Sequence, residues 1–217
     1  PEQLVKRIKL LKRLSDEKLV CDTEGDKMEG YESFQNINAF AMSDNFIYAA
    51  VSLDKGGILL IYGKPNLLEC STKEMKMIYL PKIIVKDREA HITNLDFADL
   101  FIKNEMKRIL YASTANSVYY YVWKYETDKN STAENKIQLK ELNQDGKGAY
   151  SGCIAVKDKY LLMGSSNDDF IGEYDNLEFG KTWFFDDKKT IVKYFNDYII
   201  FNIFGENESS LQIYDKK

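Results

Sequence analysis

An all-β fold is what this sequence predicts, and three observations predict it. Tyr and Phe are abundant, at 15 and 12 of 217 residues, and aromatic side chains favour pleated, half-buried surfaces. Short apolar runs recur between polar turns, and many alternate in polarity, the pattern of strands rather than helices. One compound pattern also occurs twice near the end of the chain. It consists of a short apolar strand, a charged turn, a second apolar strand, a polar loop and a strand closing on Tyr-Asp. The first copy closes at Tyr174-Asp175 and the second at Tyr214-Asp215, 40 residues later. A period of roughly 40–45 residues is that of four-stranded propeller blades. The predicted architecture is therefore a β-propeller, with a β-sandwich of the same strands as the alternative.

Taken in order, the chain opens on an ambiguous segment. Residues 4–14 read LVKRIKLLKRL, with Leu4, Ile8, Leu11 and Leu14 at helical spacing among Lys6, Arg7, Lys9, Lys12 and Arg13. That spacing suits a basic amphipathic helix on a membrane surface. The repeat instead favours a strand, with Val5, Arg7 and Lys9 on one face. Residues 21–36 are polar, contain Gly25 and Gly30, and read as a loop. Residues 1–36 are thus expected to form a partial blade.

A whole blade is predicted over about 37–81. Its strands are INAFAM (37–42), FIYAAVS (46–52), ILLIYG (58–63) and MKMIYLP (75–81), with turns at Ser43-Asp44-Asn45 and from Asp54 to Gly57. The next covers about 91–142: HITNLDF (91–97), RILYAST (108–114), SVYYYVWK (117–124) and KIQLKEL (136–142), with a polar insertion at 126–135. The third covers 152–186: GCIAV (152–156), YLLMGS (160–165), FIGEY (170–174) and TWFFD (182–186). A partial blade over 190–217 has TIVKYF (190–195), YIIFNIF (198–204) and SLQIYD (210–215), and lacks a fourth strand. One such sheet cannot bury both its faces, whereas neighbours packed face to face can. No long polar stretch divides the chain, so all 217 residues are expected to belong to one propeller domain.

Composition narrows the function. A net charge of -4 gives no case for nucleic-acid binding. Cys21, Cys70 and Cys153 are odd in number and far apart, the usage of reduced thiols in a cytosolic protein. Asn130-Ser131-Thr132 and Asn207-Glu208-Ser209 match glycosylation acceptors but read as loops. No apolar run approaches the length of a transmembrane helix. The chain begins at Pro1 rather than Met, from which a piece of a longer protein is expected.

No catalytic constellation is legible. His91, the one histidine, precedes the entry to an innermost strand, where a hydrogen-bonding role in a loop is expected over catalysis. One His with scattered Cys makes no zinc site, and no GxSxG elbow accompanies His91. Residues 25–30, GDKMEG, are followed by Tyr31 and form no P-loop. Asn167, Asp168, Asp169, Glu173 and Asp175 lack EF-hand spacing and read as a solvated turn. Asp186-Asp187 abut Lys188-Lys189, a charged turn rather than a buried acid pair. Trp183, Phe184 and Phe185 are expected to pack between blades, since no basic residues interleave with them to make a base-stacking platform. The prediction is no enzyme, no cofactor, no metal and no catalytic residue.

Several of these segments together resemble the N-terminal propeller of the eleventh vacuolar-protein-sorting subunit, the Pep-five/end-one family. QLVKRIKLLKR (3–13), INAFAMSDNFIYAAVSLDKGGILLIYG (37–63) and HITNLDF with RILYASTANSVYYYVW (91–123) each resemble a family strand or blade. The most specific likeness runs from GCIAV at 152 through YLLMGSSNDDFIGEYD and KTIVKYFNDYIIF to LQIYD at 215. The chain departs from the family where a Trp gives way to the KRIKLLK run and an Asp-Gly turn to Lys55-Gly56-Gly57. The resemblance implies a seven-bladed propeller in the complete protein, of about 300 residues, followed by an α-solenoid and a RING domain. It implies a non-catalytic scaffold of the HOPS and CORVET tethering complexes, acting in vesicle transport and fusion. Its partners would be the other sorting subunits, and its place the cytoplasmic surface of late endosome, lysosome or vacuole. The alternatives are another propeller adaptor, of WD-repeat or coat type, and then a propeller hydrolase or sugar binder. The absence of Gly-His and Trp-Asp pairs argues against the first of these.

Overall fold

The computed structural model describes residues 37–53, 57–63, 65–71, 74–114, 117–124, 137–142, 153–164, 170–184, 190–195, 197–204 and 209–215. The basic segment at 4–14, the loop at 21–36 and the insertion at 126–135 lie outside the described residues. The chain forms two compact units, Pro1–His91 and Ile92–Lys217. Every regular element among the described residues is a strand.

In the first unit, β1 (Ile37–Met42), β2 (Tyr48–Leu53), β3 (Ile58–Tyr62) and β4 (Lys76–Tyr79) form one antiparallel sheet in the order β1-β2-β3-β4. β2 and β3 are buried at every position, which is why their sequences run apolar without alternation. Met42, Ala49, Val51, Leu59, Ile61 and Met77 share one core with Leu67 and Cys70 from the β3–β4 connection. Burying each of the larger side chains among them, such as Val51, Leu59 or Ile61, contributes about 1.5–3 kcal/mol. The register shifts between Ile37 and Ala39, and the Ala39 amide there donates to the buried Ser52 Oγ at 2.8 Å.

The Ser43-Asp44-Asn45 turn forms as its sequence predicts. Asn45 Oδ1 accepts from Ser43 Oγ at 2.8 Å and from the Ile47 amide at 3.2 Å. Gly63 has a steric reason: a Cβ there would stand 2.4 Å from Cys70 Sγ. A short hairpin, β5 (Ile84–Val85) and β6 (Arg88–Glu89), follows and has no counterpart in the sequence prediction.

Among the described residues the second unit holds three sheets. The first runs β10-β9-β8-β7, from β7 (Asn94–Ile102), β8 (Glu105–Ser113), β9 (Val118–Lys124) and β10 (Gln138–Glu141). The next runs in chain order through β11 (Cys153–Lys157), β12 (Tyr160–Gly164), β13 (Phe170–Asp175) and β14 (Glu178–Phe184). The last has three strands, β15 (Thr190–Phe195), β16 (Tyr198–Phe204) and β17 (Ser209–Asp215). All are antiparallel meanders.

Several boundaries differ from the sequence reading, two of them at turns that the sequence does not mark. The first strand of the 94–141 sheet starts at Asn94, not His91, and runs on to Ile102, where a two-residue turn returns it. The last strand of the 153–184 sheet starts at Glu178, directly after the Asn176-Leu177 turn. Both turns lack Gly and Pro, so nothing punctuates them in the sequence.

The sheets of this unit stack through alternating side chains. Ala98, Leu100, Ile109 and Tyr111 of one sheet meet Ile154, Leu161, Met163 and Tyr174 of the next. On that second sheet's other face, Ala155, Leu162 and Ile171 meet Val192, Ile199 and Phe201 of the three-stranded sheet. A period-two alternation feeds side chains to both faces, so each strand of the 153–184 sheet contributes to both cores.

Candidate interaction surfaces

His91 is exposed, and its ring makes no hydrogen bond among the described residues. The expected loop hydrogen bond does not form, because the innermost strand begins three residues later and leaves His91 outside the ladder. Cys70 is a buried free thiol in the first unit's core. Cys153 lies on β11. Among the described residues no group of three His, Cys, Asp or Glu could hold a metal ion. Asn167, Asp168, Asp169, Phe185 and residues 186–189 lie outside the described residues.

Glu173 and Asp175 lie close on β13 but do different work. Asp175 sits at the strand end, where Lys159 Nζ donates to it at 2.7 Å. That contact raises the lysine's pKa, first through the hydrogen bond, with desolvation opposing and the Asp175 charge adding to the rise. Glu173 is buried within the sheet. Trp183 Nε1 donates to its Oε2 at 3.0 Å, and Lys181 Nζ lies 3.4 Å from the same oxygen. The Lys181 ammonium also stands 4.0 Å from the centre of the Trp183 ring. Trp183 itself packs on Phe201 and Tyr214, with ring centres 5.7 and 5.4 Å away. It therefore joins two neighbouring sheets, as its sequence setting predicts. A carboxylate already engaged by an indole N–H and an ammonium is a structural tie.

The paired Tyr-Asp endings also separate. Tyr174 is fully buried in the core between two sheets, whereas Tyr214 stays 38% exposed. The repeated sequence thus occupies equivalent strand positions in two different surroundings.

Among the described residues, exposed apolar side chains group on two surfaces. One is the end of the β7–β8 hairpin. Phe101 and Met106 face each other across it and are 59% and 41% exposed. Asn176 Nδ2, in the neighbouring sheet's turn, donates to the Phe101 carbonyl at 3.2 Å and braces this hairpin. The other is the outer face of the three-stranded sheet, with Tyr198, Leu211 and Ile213. Neither surface presents a nucleophile beside a base, or converging polar groups around a cavity. Both present side chains suited to protein contact.

Repeated four-stranded antiparallel meanders, with period-two alternation packing neighbouring sheets of the second unit face to face, define a β-propeller fold. Solved structures agree on the fold. The β-propeller domain of Cps50 (Swd1) from Myceliophteria thermophila superposes with a TM-score of 0.54 at 11% identity, over 81% of this chain and 52% of that one. A chain of the COPII outer coat vertex on membranes gives 0.52 at 10% identity, over 86% and 46%. This chain thus spans about half the length of each. No curated protein sequence matches it. Residues 5–214 match the PEP5/VPS11 N-terminal family, and the chain belongs to that family.

Proposed function

We propose that this chain is a non-catalytic propeller scaffold in a membrane-tethering complex of the endolysosomal or vacuolar system, where it presents sheet edges and hairpins to other sorting subunits. The observation that carries the reading is the family match, which runs over residues 5–214 and takes in every strand described save the last residue of β17. The exposed Phe101–Met106 pair supports it, since apolar side chains held on a braced hairpin suit protein docking. The arrangement of Glu173, Lys181 and Trp183 supports the non-catalytic part, because these polar groups already satisfy one another. None of the described residues forms a helix long and apolar enough to cross a membrane. In this reading, membrane association runs through the complex.

The test is affinity purification of the natural full-length protein from cells, with partners identified by mass spectrometry. Recovery of the tethering subunits in defined proportion, with the tagged protein on late endosomes, lysosomes or vacuoles, is expected. Recovery of a bare monomer, or of coat subunits in their place, overturns the proposal.

A further inference from the structure

We infer that Lys103, at the tip of the β7–β8 hairpin, is an acceptor for a small ubiquitin-like modifier, joined to its side chain through an isopeptide bond. The tip reads Ile102-Lys103-Asn104-Glu105. It offers a branched apolar residue, a lysine, a spacer and a carboxylate. That order suits a conjugating enzyme of this modifier class, which reads its substrate directly. An apolar patch beside the enzyme's catalytic cysteine takes the first residue, a narrow groove takes the lysine stem, and a basic patch takes the carboxylate. Of all the lysines in the sequence, only Lys103 has an aliphatic residue just before it and a carboxylate two places after.

The structure presents these groups at the surface. Lys103 is exposed, and no hydrogen bond or ion pair engages its ammonium among the described residues. Glu105 is 46% exposed and pairs with Lys107, a surface contact of small worth that another cation can replace. Ile102 is half-buried against the core shared with the next sheet, and it pairs with Glu105 across the turn. The enzyme needs these four residues extended, so the last rung of the hairpin must open. Two features keep that opening cheap and local. Lys103 and Asn104 hold φ of 51° and 62° without a glycine, so leaving the turn relieves strain. Asn176 holds the Phe101 carbonyl at 3.2 Å, so the next rung stays closed. Hairpin ends of this kind open far more readily than the fold as a whole.

The β5–β6 hairpin supplies an internal comparison. Lys86 is exposed, follows Val85, and occupies the same first turn position, with φ of 49° and then 62° at Asp87. Arg88 stands where the other hairpin has Glu105. A basic patch on the enzyme repels it, so exposure and turn geometry alone do not make Lys86 an acceptor.

The step itself is an acyl transfer. Lys103 loses a proton to solvent, and the neutral amine attacks the modifier's C-terminal carbonyl carbon, held as a thioester on the enzyme's cysteine. The C–N bond forms, the C–S bond breaks, and the electron pair leaves on the enzyme's sulfur as thiolate.

The experiment incubates the natural full-length protein with the modifier, its activating and conjugating enzymes and ATP. Branched peptides are mapped by mass spectrometry. The expected result is conjugation at Lys103 on the order of tenfold or more above Lys86. Lys103→Arg should abolish it. Glu105→Gln should slow it about tenfold, the worth of one charge-assisted contact, while Glu105→Asp restores it. No conjugate at Lys103, equal conjugation at Lys86, or indifference to Glu105→Gln overturns the inference. A parallel reaction with ubiquitin and its own enzymes separates the two modifiers. Conjugation of Lys103 by ubiquitin alone also overturns it. Mapping on the unsubstituted protein decides between Lys103 and Lys86 where a variant fails to fold.

Discussion

Arg108 is buried on β8, and its Nε and Nη2 donate to the two Asp99 oxygens at 2.7 and 2.8 Å. The planar fork fits both oxygens, which a lysine could not do. Asp99 is 38% exposed, so the pair is half-solvated and its worth lies below that of a fully buried bridge. Removing the carboxylate still leaves a buried cation short of its main counter-charge. Asp99→Ala should therefore cost about 3 kcal/mol, read from urea denaturation. A loss of under 0.5 kcal/mol would mark the pair as an ordinary surface bridge. Buried tyrosines set a second residue-scale property. Burial pushes the Tyr111 hydroxyl far above its usual range, with Tyr120 and Asp96 adding to the effect. Tyr121 and Tyr194 are raised for the same first reason. The folded state thus keeps protons that the unfolded state sheds near pH 10, and stability falls as pH rises beyond that point. Absorbance near 295 nm should show tyrosinate at these sites appearing together with unfolding. Tyr111→Phe should flatten the loss. A midpoint constant through pH 11 would contradict this account.

At the scale of elements, turns mark where the sequence is transparent and where it is not. Ser43-Asp44-Asn45 is legible because Asn45 makes a recognisable side-chain turn. Lys103-Asn104 is not, because it closes a two-residue hairpin with φ of 51° and 62° and no glycine. Such φ values match the right-handed strand twist but strain residues with a Cβ. Lys103→Asn with Asn104→Gly should stabilise the hairpin by about 1 kcal/mol. The denaturation midpoint would rise, and a fall would show that this turn is not of the strained kind. The same blindness explains the missed β5–β6 hairpin, whose turn residues Lys86 and Asp87 also have positive φ. Continuous apolar runs such as ILLIY and YLLMG located the central strands well, since burial on both faces dictates them. The contact surfaces were less legible. Phe101 and Met106 look like ordinary strand residues, and only the hairpin's length shows that they end beyond the core.

On the whole-molecule scale, the repeat matters because neighbouring sheets share a core, so the 153–184 sheet serves two cores at once. Phe201 shows what that implies. It is fully buried, touches Trp183 and Tyr214 with ring centres 5.7 and 5.3 Å away, and belongs to the core shared with Ala155, Leu162 and Ile171. Truncation leaves a cavity between two sheets rather than within one. Phe201→Ala should cost about 3–5 kcal/mol, and the loss should not stay in the sheet that carries it. In repeat architectures, stability sums intrinsic terms and nearest-neighbour interfaces, so weakening one interface loosens both partners. Hydrogen exchange should therefore speed up at Leu161 to Gly164 on β12 as well as along β16, while β7 and β8, one interface further on, change less. Loosening confined to β15–β17 would show that the sheets fold as independent modules. Equal loosening across all three sheets of this unit would show a single cooperative block with no nearest-neighbour gradient.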